Sequence, residues 1–126
     1  MERKTRSAQP TGINMGNEWT WYGHAGHLCV GHHCRFHLCT KIGEYLISTV
    51  GDCFLNGTRT KIGAGDDSFF ETYVFTVLPG SSCTDSACMC GMPNIDLENI
   101  NGIRCATAGE AAKTHIEMCR KYAALR

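Results

Sequence analysis

The sequence predicts an α+β domain: a small antiparallel β-sheet followed by a C-terminal helix, with cysteine-rich segments before and after the sheet. Three observations carry this reading. Two β-favouring runs, RFHLCTKI and YLISTVGDC, flank Gly43-Glu44, and a third run, FFETYVFTVL, spans residues 69–78. Near the end of the chain, EAAKTHIEMCRKYAAL is a sustained stretch of good helix formers. At 126 residues the chain suffices for one modest core, so one domain over 18–126 is expected behind a flexible tail over 1–17.

The tail is polar, is interrupted by Gln9-Pro10-Thr11-Gly12 and has no apolar run of the kind a secretory leader needs. Residues 18–33 carry glycines at 23, 26 and 31 and read as a looped segment, with Trp19, Trp21 and Tyr22 placed to pack beside it. The hairpin is more explicit. A glycine-first two-residue loop suits a type II′ turn, which pairs Ile42 with Tyr45, Thr40 with Ile47 and Leu38 with Thr49. Period two then puts Phe36, Leu38, Ile42, Tyr45 and Ile47 on one face, expected to be core, and His37, Cys39, Lys41, Leu46, Ser48 and Val50 on the other.

Residues 54–68, with Asn56-Gly57 and Asp66-Asp67, read as turns around one short strand near 58–62. The run over 69–78 joins the hairpin, giving a three- or four-stranded sheet that Pro79-Gly80-Ser81-Ser82 terminates. CTDSACMCGMP, residues 83–93, is too turn-rich for a helix or central strand. The helix opens on a capping box, Thr107 with Glu110, and Ala111, His115, Met118, Cys119 and Tyr122 form one stripe at helical spacing.

Nine cysteines and six histidines are the chemical signature. Imidazole nitrogen and thiolate sulfur are the donors a tetrahedral Zn²⁺ prefers, so the expected organiser is zinc; a disulfide framework is the competing reading, and it needs no histidine. One expected site joins Cys88 and Cys90 in the second turn-rich segment with His115 and Cys119 one helical turn apart, Cys83 being able to replace either of the first pair. A second draws His27, Cys29, Cys34 and His37 from WYGHAGHLCVGHHCRFHLC, with His24, His32, His33 and Cys39 as substitutes. Against the first stands the reading of His115 and Cys119 as ordinary core residues of an amphipathic helix, and against the second a solvated histidine-rich loop.

Twelve basic residues balance twelve acidic ones, so no global field draws in nucleic acid or anionic lipid; Arg59, Lys61 and the Arg35/Lys41 strand make at most a thin basic patch. The longest strongly apolar stretch, near residues 73–78, is too short to span a bilayer, and a soluble protein without membrane partners is expected. His115-Ile116-Glu117 matches the first half of the zinc-deaminase signature, but no P-C-x-x-C follows, and H-E-x-x-H, P-loop and G-x-S-x-G motifs are absent.

The strings HLCVGHHCRFHLCTKIGEYLISTVGD, ETYVF, CMCGMP and AGEAAKTHIEMCRKYAA, in that order, resemble a group of small cysteine- and histidine-rich proteins encoded by bacteriophages and prophages of proteobacteria. Cys53 departs from that pattern by standing in place of an aromatic residue. The resemblance implies expression in a bacterial cytoplasm, where thiols stay reduced and zinc ligation is favoured over disulfides. The function expected from it is a non-catalytic zinc-binding accessory protein that binds a host macromolecule, inhibiting a defence or regulatory system. The alternatives are a zinc-dependent nucleic-acid-binding regulator and a zinc hydrolase or nuclease, the last requiring an open coordination position.

Overall fold

The computed structural model describes residues 18–22, 34–62, 68–81 and 92–125. They form strands β1 (Trp19–Tyr22), β2 (Cys34–Ile42), β3 (Tyr45–Leu55), β4 (Thr58–Thr60), β5 (Phe70–Ser81), β6 (Pro93–Ile95) and β7 (Asn101–Cys105), then helix α1 (Ala108–Ala124). The strands make one open antiparallel sheet in the order β1-β2-β3-β5-β6, with β4 paired to β3 and β7 to β5. Seven strands replace the expected three or four, because β1, β6 and β7 are short pieces that take strand form by hydrogen bonding to β2 or β5 rather than from their own composition.

The central hairpin has the register the turn dictates: Ile42 opposite Tyr45, Thr40 opposite Ile47, Leu38 opposite Thr49. Gly43 holds the left-handed φ of 57° that the first position of such a turn requires. The β3–β4 turn is closed by Asn56 and Gly57, both with positive φ (53° and 77°), the type I′ solution. β5 runs three residues further than expected. Pro79-Gly80 is absorbed as an irregularity between Leu78 and Ser81, with Gly80 at φ 92°.

α1 begins as its capping box predicts: Thr107 Oγ1 accepts from the Glu110 amide at 3.2 Å, and Glu110 Oε1 accepts from the Thr107 amide at 3.3 Å. Its buried residues are Ala111, His115, Met118, Cys119 and Tyr122, the stripe read from the sequence. That stripe lies on Ile42, Ile47 and Val74, with Trp19 and Tyr45 at the margin, and at its N-terminal end on Phe70 and Cys105 beside Phe36. Full burial of one such aliphatic side chain contributes about 1.5–3 kcal/mol.

The opposite face is core as well. Cys39, Leu46, Phe75 and Met92 form a second buried cluster flanked by Tyr22, Tyr73, Val77 and Ile95. The expectation of a single core face therefore understates the hairpin, whose β3 is buried on both sides from Leu46 to Gly51.

Candidate functional site

Three threonines occupy core positions on the helix face: Thr40, Thr49 and Thr72 are all at most 1% exposed. A buried hydroxyl needs a partner, and His115, fully buried on α1, supplies it. Thr40 Oγ1 lies 2.9 Å from His115 Nε2, Thr49 Oγ1 2.7 Å from Nδ1, and Thr49 Oγ1 2.7 Å from Thr72 Oγ1. One ring nitrogen donates and the other accepts, as a neutral imidazole must. Burial alone pushes the ring pKa down to about 4, so the histidine is neutral at physiological pH. Trp21 covers it with ring centroids 5.6 Å apart. Cys119, one turn on, is fully buried; burial drives its thiol up to about 12 despite a hydrogen bond with Thr40 that pulls the other way.

His115 therefore has both nitrogens engaged, and ligation or proton transfer through it requires breaking a threonine hydrogen bond. Its partners in the first expected site, Cys88 and Cys90, lie outside the described residues, as do His27 and Cys29 of the second. The two described members of the second set, Cys34 and His37, are three apart on β2, and a strand sends such residues to opposite faces. Among the described residues no three histidine, cysteine, aspartate or glutamate side chains come together as a metal-holding group.

What the structure does bring together is His37 and Cys39, on the face opposite α1. His37 is exposed. Cys39 is fully buried against Leu46, Phe75 and Met92, and burial, then the nearby Cys119, pushes its thiol up to about 12. Tyr22, beside Cys39 in the β1–β2 register, has its own pKa raised by burial and by that thiol. Tyr22 is the last described residue before the cysteine- and histidine-rich segment 23–33, and Met92 is the first after segment 82–91. Both pack in the cluster around Cys39. The described residues that border these two donor-rich segments, Tyr22 and Met92, thus lie on the Cys39 face of the sheet, and His115 and Cys119 lie on the other.

The basic side chains are partly committed to packing. Arg35 stacks over the Phe54 ring at 4.0 Å; Arg59 stacks over Phe69 at 4.1 Å and donates Nε to Asp52 Oδ1 at 2.8 Å. Glu71, 5% exposed, has Arg104 Nη2 at 3.7 Å from Oε1. No helix among the described residues is long and apolar enough to cross a membrane.

Sequence reasoning missed the threonine network. The signal was present, because the hairpin register already put Thr40 and Thr49 on the core-facing side, and two buried hydroxyls call for a buried polar partner. No family model matches the chain, and neither the curated proteins nor the solved structures contain a match.

Proposed function

We propose that this chain is a zinc-binding accessory protein of the phage type, acting without catalysis by binding a host macromolecule in the bacterial cytoplasm, with its metal on the sheet face opposite α1. One observation supports this reading: Tyr22 and Met92, the described residues that border the two cysteine-rich segments, both belong to the packing around Cys39. In this reading His37 and Cys39 are the donors on the sheet, and His27, Cys29, Cys88 and Cys90 from the adjoining segments complete the set.

The donor chemistry fits zinc. Cysteine sulfur and histidine nitrogen at short spacing suit a closed tetrahedral site. Bound zinc would supply folding energy by tying two long segments to one sheet face. His115 and Cys119 are assigned to packing in this account, because the imidazole already has two hydrogen-bond partners and the thiol a hydrogen bond with Thr40.

The test is native mass of the reduced protein before and after acid, on the wild type and on Cys90→Ser. Zinc that acid releases from the wild type, with lower stoichiometry in Cys90→Ser, is the expected result. Capture of a host component from lysate should be abolished by chelation and restored by zinc. A reduced protein that holds no metal and stays folded would end the proposal.

A further inference from the structure

Cys34 and Cys53 are directly opposed in the β2–β3 register, at the end of the ladder away from the Gly43-Glu44 turn. Both are thiols, and their side chains are hydrogen-bonded to each other. Cys53 is 3% exposed, whereas Cys34 retains partial exposure. Opposed residues in an antiparallel pair have Cα atoms about 4.5–5.5 Å apart, inside the window of about 4.4–6.8 Å that a disulfide spans. No other two of the described cysteines face each other across a ladder.

We propose that Cys34 and Cys53 form an oxidation site: exchange with a small-molecule disulfide of the glutathione class closes them into a cross-strand disulfide, and a thiol reductant reopens it. The sulfur of the partly exposed Cys34, as thiolate, attacks one sulfur of the small disulfide. That S–S bond breaks, a mixed disulfide forms on Cys34, and the departing thiolate takes up a proton. Cys53 then attacks the Cys34 sulfur, forming the protein disulfide and expelling the second small thiol. Two protein S–H bonds are lost, two small thiols are gained, and the electron pair passes to the small disulfide.

Burial, followed by the proximity of Cys53, holds the Cys34 thiol up at about 12, so little of its attacking thiolate is present at neutral pH and closure is slow. The closed form would pin the first residue of β2, where segment 23–33 joins the sheet, to β3. This inference goes beyond the zinc reading, because it uses neither His37 nor Cys39.

The experiment is oxidation of the full reduced chain, zinc included, with oxidised glutathione, followed by alkylation under denaturing conditions and peptide mapping. The expected product is a peptide pair joined through Cys34 and Cys53 that dithiothreitol separates. Cys53→Ser should stop at a glutathione adduct on Cys34. Recovery of Cys34 and Cys53 as alkylated thiols, or linkage of Cys34 to any other cysteine, would overturn the proposal. So would closure that occurs only after zinc is stripped, because Cys34 would then be a ligand.

Discussion

Cys39 and Cys119 are both fully buried, both are thiols pushed up to about 12 by desolvation, and they lie on opposite faces of the same sheet. Their surroundings differ. Cys119 sits in a region whose polar groups are satisfied within the described chain: His115 between Thr40 and Thr49, Thr72 behind Thr49, and the capping box at the start of α1. Cys39 sits beside Tyr22 and Met92, the described residues that border the two donor-rich segments, and two residues from an exposed histidine. Equal burial and equal acidity therefore do not identify a ligand; what distinguishes the two thiols is which described residues surround each. Under the proposal above, the helix face is structural and the opposite face would hold the metal.

The helix face can be broken without touching the other. The largest effect is expected at Gly51, which lies between Phe36 and Phe70 in the register and lets their rings meet edge to face at 5.3 Å. A Cβ there would overlap the Phe70 ring, so Gly51→Ala should cost about 3 kcal/mol or more, read as a lowered urea midpoint.

Acid comes next. With its folded pKa lowered to about 4 from 6.5, His115 makes the unfolded chain the better proton acceptor between those values. Its contribution is complete above about pH 6.5 and is lost as pH falls toward about 4, on the order of 3 kcal/mol. His115→Gln should flatten that part of the stability profile relative to wild type; parallel profiles would mean the ring is not buried neutral. Thr49→Val removes the hydroxyl that serves both His115 Nδ1 and Thr72 and should cost about 2 kcal/mol in chemical denaturation. Smallest is Thr107→Ala, at about 1 kcal/mol from loss of the cap, read as faster amide exchange in the first turn of α1.

Much of the helix face was legible in advance. A two-residue turn starting with glycine leaves the hairpin one register, and a Thr-x-x-Glu box followed by helix formers fixes where α1 starts and which stripe it buries. β1, β6 and β7 were not legible: Trp19–Tyr22, Pro93–Ile95 and Asn101–Cys105 are too short or too rich in Pro, Gly and Asn to specify strands alone, and they become strands by pairing with β2 or β5. The candidate site was legible in chemistry and not in partnership. Eight cysteine and histidine donors lie between His24 and Cys39, so spacing cannot choose among them. The pairing of His115 and Cys119 with Cys88 and Cys90 followed from helical spacing, which reports that two side chains are neighbours but not what faces them. Two threonines bond this histidine, supplied by strands 66 and 75 residues away in sequence.

The most direct test of the two-face account is zinc stoichiometry by native mass, under reducing conditions, in Cys39→Ser and Cys119→Ser side by side. The account predicts that Cys39→Ser lowers bound zinc and that Cys119→Ser, though less stable, keeps the wild-type content. Loss of zinc from Cys119→Ser with full retention in Cys39→Ser would contradict it and put the metal under the helix.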